Sequence, residues 1–155
     1  MVIHHHDNVW LCGGDVEVPH PLIIIILNFT FSTEMLKRIW SKADYIICAD
    51  GGANRLYDSR LDKIPHLILG DGDSIRNEVL THYQHHGTTI SFDPSNQDTN
   101  DLEKCLYWTS IQYEPAQTNL VIFGALGGRY DQEMQNINSL YQWYYYILCI
   151  CQYII

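Results

Sequence analysis

Aspartate side chains recur in this sequence directly after short apolar runs. Crowded carboxylates repel one another and raise one another's pKa, and a divalent cation such as Mg²⁺ relieves this conflict because it prefers oxygen ligands and bridges to phosphates. A single aspartate at such a place is more typical of a turn or a helix cap. The set as a whole, with its D-x-D spacing, favours a metal site. Its members are Asp50, Asp71, Asp73, Asp98, Asp101 and Asp131.

Paired glycines and an arginine accompany these carboxylates. One Gly-Gly pair begins at Gly51, directly after Asp50, and a second pair at 127–128 precedes Arg129. Glycine lets a backbone approach a phosphate closely, and a guanidinium binds phosphate through two parallel hydrogen bonds. An ordinary turn explains each glycine pair equally well. The sequence contains neither G-x-x-x-x-G-K-[ST] nor a G-x-G-x-x-G after its first apolar run, so these two phosphate-binding motifs give no support.

The apolar runs predict the elements that position these residues. A continuous run of branched residues, such as 22–27, is typical of a strand covered on both faces. Strands that alternate with helices through short connections predict an α/β fold with a doubly wound, mainly parallel, Rossmann-like sheet. The carboxyl ends of such strands share one edge, where ligands bind, so we expect the aspartates on one rim. The predicted strands are 22–27, 45–48, 67–69, 88–92 and 120–123.

Helix signals lie between the strands. Ser74 is expected to cap a helix whose inner face begins with Ile75. Asn100 and Glu103 have the spacing of a capping box for the next helix. Apolar spacing predicts a last helix over 132–143.

Charge and composition exclude several classes of partner. The formal net charge of −9 argues against binding nucleic acid or an anionic membrane surface, although a small phosphate ligand can still bind through a cation. The longest apolar run, 144–151, is shorter than the ~20 residues that span a bilayer. Five cysteines without paired spacing, and no visible signal peptide, predict a reduced, cytoplasmic protein.

Four segments, in order, resemble the signatures of eukaryotic thiamine pyrophosphokinases. The A-D-G-G-A-N and G-D-x-D-S-I elements are matched by 48–57 and 70–75, and the D-x-T-D-x-x-K-C-L and G-G-R-[FY]-D-Q elements by 97–106 and 126–132. The resemblance spans residues 22 to about 141, with Asn100 in place of the family's usual threonine.

This resemblance implies transfer of a pyrophosphoryl group from ATP to the hydroxyl of thiamine, giving thiamine diphosphate and AMP. It implies Mg²⁺ held by Asp71, Asp73 and Asp101, the catalytic aspartates, with Asp50 as a further ligand. Contacts with ATP or its phosphates are implied for Asn28, Asp50, Gly51, Gln97, Lys104, Arg129 and Asp131.

The predicted organisation is a loose lead-in over 1–20, a catalytic domain over 21–143 and an apolar tail over 144–155 that can form one more strand. Members of the family continue into a C-terminal β-sandwich that helps form the thiamine pocket, typically in a homodimer, and we expect that domain to be absent here. Two hypotheses therefore stand together. The chain is a thiamine diphosphokinase, or it is a truncated, non-catalytic ATP-binding isoform that lacks the thiamine pocket.

Overall fold

The computed structural model describes residues 17–95, 99–146 and 151–154. Within these residues, six strands form one sheet, and five α-helices connect or flank them. The strands are β1 (Leu22–Ile26), β2 (Tyr45–Ala49), β3 (Leu67–Gly70), β4 (Thr89–Phe92), β5 (Asn119–Phe123) and β6 (Cys151–Ile154). The helices are α1 (Thr33–Trp40), α2 (Asp50–Asp58), α3 (Asn77–His85), α4 (Asp101–Gln112) and α5 (Tyr130–Tyr146).

The sheet has the order β4-β3-β2-β1-β5-β6, and the five pairings between its described strands are parallel. The chain builds outward from β1 to β4 and then returns to the other side of β1 to form β5. The strand order therefore reverses between β1 and β5, and this switch point is where doubly wound sheets open a ligand crevice. The predicted doubly wound parallel fold is confirmed.

Alternate residues of β1 pack into two separate hydrophobic cores, one on each face of the sheet. This is why every position of the strand is apolar. Ile24 and Ile26 pack with α1, α2 and α3 on one face of the sheet. Ile23 and Ile25 pack with α4 and with Leu140 of α5 on the other face. All five residues of β1 are fully buried, so a polar side chain on either face would lie in a hydrophobic core.

Of two helix starts predicted from capping residues, one is confirmed and the other is wrong. The Asn100 side chain accepts from Glu103 N while Glu103 bonds back to Asn100 N, so the predicted capping box is confirmed. The prediction that Ser74 caps α3 was wrong. That helix begins later, after Arg76, and it has no side-chain cap. Residues 71–76, which we call the acidic loop, are instead held by hydrogen bonds from side chains of α2.

The remaining segments fall partly outside the described residues. Of the predicted lead-in, 1–16 lies outside them, and 17–20 contains no helix or strand. Within the predicted tail, β6 lies beside β5. Among the described residues, no helix has the length and apolar character needed to cross a bilayer.

Candidate active site

A cleft opens at the switch point between β1 and β5. Asn28 and Phe29 line it from the end of β1, and Gly124 lines it from the end of β5. Asp101 at the start of α4 and Arg129 just before α5 also line it. The cleft therefore brings an acidic residue and a cation to the edge of the sheet where parallel strands end.

Three aspartates from two chain segments meet at this edge. Asp50 is the first residue of α2, and Asp71 and Asp73 lie in the acidic loop after β3. One carboxylate oxygen from each lies within 4.8 Å of the others. These three carboxylates lie on one rim, as the sequence predicted. They are close together because β2 and β3 are adjacent parallel strands whose ends share one edge of the sheet.

Glycine is required between the two aspartates of the acidic loop. Gly72 has φ +83, a conformation that other residues rarely adopt, and a Cβ added there would lie 2.9 Å from the Phe92 ring. The loop can therefore turn tightly against β4 while it presents Asp71 and Asp73.

The Asp50 carboxylate is almost wholly occupied by backbone N–H groups. It is 1% exposed, and its Oδ1 accepts from Gly51 N at 2.6 Å. Its Oδ2 accepts from Gly72 N at 3.1 Å and from Ser74 N at 3.2 Å. Asp50 thus bonds directly to the backbone of the acidic loop.

Asn54, one helical turn after Asp50, bonds to the same loop. Its Nδ2 donates to the Ser74 carbonyl at 2.8 Å, and its Oδ1 accepts from Arg76 N at 3.0 Å. Within the loop, Ser74 Oγ donates to Asp73 rather than capping a helix. The side chains of α2 therefore fix both ends of the turn that carries the aspartates.

Lys104 connects the acidic loop with α4. Its side chain is only 7% exposed, and its ammonium lies 3.6 Å from Asp71 and 3.9 Å from Asp101. A buried ammonium is stable only where carboxylates compensate its charge. Lys104 therefore draws Asp101, which comes from a different strand–helix connection, toward the cluster of Asp50, Asp71 and Asp73.

Burial and hydrogen bonding shift the pKa values of these carboxylates in different directions. Burial, with the charge of Asp50 as the next cause, raises the pKa of Asp101 to about 6, although Lys104 opposes this. Burial also raises the pKa of Asp50, against the effect of the N–H bonds from Ser74 and Gly51. The pKa of Asp71 is lowered, first by the N–H bond from Asp73 and further by Lys104.

These residues fit a hard divalent cation. The site supplies carboxylate oxygens and no sulfur or imidazole ligand among the described residues that form it, and that donor set suits Mg²⁺. Burial and the neighbouring carboxylates raise the pKa values of Asp50 and Asp101, and a bound divalent cation would favour the ionised forms.

Arg129 and Asp131 form an ion pair beside the cleft rather than joining the aspartate cluster. Arg129 Nε donates to Asp131 Oδ1 at 3.0 Å, and a second nitrogen bonds the other oxygen. Both side chains are mostly exposed, and the bond lowers the pKa of Asp131. An exposed pair contributes little to stability, so Arg129 can exchange Asp131 for a phosphate at small cost.

Asn28 lies between the cleft and α2. Arg55 Nε donates to its Oδ1 at 3.1 Å, and a Cβ on Gly51 would come within 2.4 Å of its side-chain nitrogen. Gly51 is buried beneath Asn28 and is not among the residues that line the cleft. The role of Gly51 in ATP binding stays a prediction.

Two predicted positions, Gln97 and Asp98, lie outside the described residues. Other residues at the site were missed from the sequence. Gln132 and Asn136 line the cleft from α5, and their spacing of one helical turn beside Arg129 could have indicated them. Asn54 could have been found from its spacing of four residues after Asp50.

The parallel sheet, the cleft at its switch point and the adjoining aspartates define a Rossmann-like domain with a candidate site for metal and phosphate. A family model described as thiamin pyrophosphokinase, catalytic domain, matches residues 36–151. Thiamine pyrophosphokinase 2 of Arabidopsis thaliana is 33% identical over 159 residues, covering 92% of this chain and 58% of that protein. Thiamine pyrophosphokinase 3 of Oryza sativa subsp. japonica is 42% identical over 120 residues, covering 67% of this chain and 45% of the rice protein.

A solved structure of thiamin pyrophosphokinase from Candida albicans has the same fold, with a TM-score of 0.78 and 27% identity. The match covers 95% of this chain and 59% of the Candida chain. The chain belongs to the thiamine pyrophosphokinase family, as its four sequence segments indicated. It spans about half the length of the curated relatives it matches.

Proposed function

We propose that this chain provides the ATP and metal site for transfer of a pyrophosphoryl group to thiamine, giving thiamine diphosphate and AMP. The observation that carries the proposal is the convergence of Asp50, Asp71 and Asp73 within 4.8 Å, beside a cleft that also contains Asp101 and Arg129. Family membership supports thiamine as the acceptor, since the matched relatives are named thiamine pyrophosphokinases.

Asp71, Asp73 and Asp101 are proposed to hold Mg²⁺, with Asp50 adjoining them. When bound, the cation neutralises phosphate charge and orients the phosphates for transfer. A cation held by these carboxylates would lie beside the cleft, because Asp101 both lines the cleft and shares Lys104 with Asp71. The Lys104 ammonium adds one positive charge beside Asp71 and Asp101 that is present with or without a bound cation.

The remaining roles follow from position at the cleft. Asn28, at the end of β1, and Arg129, before α5, are proposed to bind the nucleotide and its phosphates, with Gln97 and Asp131 as further contacts. Phosphoryl-type transfer depends mainly on positioning and on charge stabilisation. In the proposed reaction the thiamine hydroxyl oxygen bonds to the β-phosphorus of ATP, and the bond from that phosphorus to the α-phosphate oxygen breaks. AMP leaves, and a carboxylate of the cluster accepts the hydroxyl proton.

Thiamine as acceptor, a homodimer as assembly and the cytoplasm as location belong to the same proposal. Family membership supports the first two. The third is supported by the buried free thiols Cys48 and Cys105, since unpaired cysteines are typical of reducing compartments.

The proposal is tested by incubating the purified chain with ATP and thiamine and measuring AMP and thiamine diphosphate, with Mg²⁺ or with a chelator. We expect thiamine-dependent AMP that requires Mg²⁺, that is lost in Asp71→Asn and that persists in Asp58→Asn. Asp58 lies at an exposed position paired with Arg76, so Asp58→Asn controls for the loss of one negative charge near the acidic loop. Mg²⁺-dependent ATP binding without AMP would favour the second candidate, a non-catalytic ATP-binding chain. Absence of both would refute the proposed site.

A further inference from the structure

We propose that Asp50 and Asn54 of α2 are positioning residues that set the path of the acidic loop, and so aim Asp71 and Asp73 at the bound cation. This inference rests on the proposed function, because it gives these two residues a role in the same metal site. In this role both Asp50 and Asn54 act on the metal site through the backbone of the acidic loop.

The loop is held at regular intervals. The hydrogen bonds from α2 reach Gly72 N, Ser74 N, the Ser74 carbonyl and Arg76 N. These bonded positions, at 72, 74 and 76, alternate with the aspartates at 71 and 73. The α2 side chains therefore take up backbone groups of the loop and leave the Asp71 and Asp73 carboxylates for other partners.

The two α2 residues act as a unit because of helix geometry. Positions four apart lie on one face of a helix, so Asp50 and Asn54 present their side chains to the same stretch of chain. Asp50 is also fitted closely to the strand that leads into the loop, since a Cβ on Gly70 would lie 3.0 Å from its carboxyl carbon. The start of α2 is thus joined to the acidic loop by hydrogen bonds and by close packing.

The hydrogen bonds of Asp50 and Asn54 give both residues a role that acts through the loop backbone. Asp50 Oδ2 accepts two N–H bonds, from Gly72 and Ser74, which use both of its lone pairs. Oδ1 has already accepted one from Gly51. Asn54 contacts the loop only through backbone atoms of Ser74 and Arg76 among its described hydrogen bonds. Neither residue needs to touch a phosphate to influence the metal site.

The test compares Asn54→Ala with the control Asp58→Asn in the whole chain. Asp58 bonds the Arg76 side chain at 2.5 Å, so the control disturbs the same end of the loop without removing a backbone bond. Binding of Mn²⁺, used in place of Mg²⁺, is measured by electron paramagnetic resonance, and the exchange of the Arg76 amide is measured by NMR without metal. We expect Asn54→Ala to weaken Mn²⁺ binding about tenfold, equivalent to about 1.4 kcal/mol, and to speed exchange at Arg76, while the control changes neither.

Asp50→Asn is the second variant, because its single amide oxygen cannot accept both the Gly51 N–H bond and the two N–H bonds of the loop. We expect a larger loss of Mn²⁺ affinity than in Asn54→Ala, with faster exchange at Gly72 and Ser74. Thermal unfolding without metal separates positioning from general damage. An affinity loss in Asn54→Ala that is matched by the control, or unchanged Mn²⁺ affinity despite faster exchange, would overturn the inference. Failure of the wild-type chain to bind Mn²⁺ would instead refute the metal site itself, and with it this role.

Discussion

Replacing Asp101 by asparagine should stabilise the metal-free protein. The pKa of Asp101 is raised from 3.8 to about 6, and at about 1.4 kcal/mol per pH unit the full penalty for ionising it in the fold would be about 3 kcal/mol. The Asp101 side chain is 37% exposed, so solvent screening reduces this to about 1.5 kcal/mol. Loss of a negative charge from the first turn of α4 costs about 0.5 kcal/mol. We expect Asp101→Asn to gain about 1 kcal/mol at pH 7.

The gain in the free energy of unfolding is measured by urea unfolding with a chelator, and thermal unfolding under the same conditions should show a rise in Tm of about 3 °C. Its pH dependence follows from the raised pKa. Between pH 6 and about pH 4 the folded wild type takes up a proton that the unfolded chain does not, so its stability rises as pH falls through this window. The advantage of Asp101→Asn should be full above pH 6 and absent below pH 4.

Added Mg²⁺ should reverse the order, because only the wild type gains the full binding free energy. Asp58→Asn, which removes an exposed carboxylate paired with Arg76, should show no gain at any pH. The reasoning fails if Asp101→Asn is less stable than the wild type without metal, or if its advantage persists unchanged at pH 4.

Three further predictions follow from single contacts. Gly52→Ala should lose about 3 kcal/mol in urea unfolding, because its Cβ would lie 2.0 Å from the Ile26 carbonyl oxygen; a normal stability would contradict the packing of α2 on β1. Cys48 and Cys105 should resist a thiol reagent in the native state, since burial raises the pKa of both thiols. Labelling is measured by peptide mass spectrometry, and labelling of either cysteine without denaturant would contradict this prediction. Mg²⁺ affinity, measured by calorimetry, should fall about tenfold per pH unit below pH 6 as protons compete for Asp101; a flat profile would remove Asp101 from the site.

The strands could be predicted because a strand that is buried on both faces has a continuous run of apolar residues in the sequence. The run 22–27 is apolar at every position, and each residue of β1 faces one of two cores. The gathering of aspartates followed from the same step, because the ends of adjacent parallel strands share one edge. Local helix signals worked where the cap is local, as for Asn100 with Glu103.

What could not be predicted depends on contacts between distant residues. Ser74 has the chemistry of a helix cap, yet its backbone is held by Asp50 and Asn54, 24 and 20 residues earlier. Lys104 could equally have been a solvated helix residue, and only the packing of α4 against β3 buries it beside Asp71. No spacing rule in the sequence encodes these separations.

The site's central claim is tested most directly by calorimetric titration of ATP into the chain, with Mg²⁺ and with a chelator. We predict ATP binding that depends on Mg²⁺ in the wild type and in Asp58→Asn, and that is lost in Asp71→Asn and Asp73→Asn. Equal binding in all four proteins, or binding that is indifferent to Mg²⁺, would contradict the assignment of this acidic rim as the metal and nucleotide site.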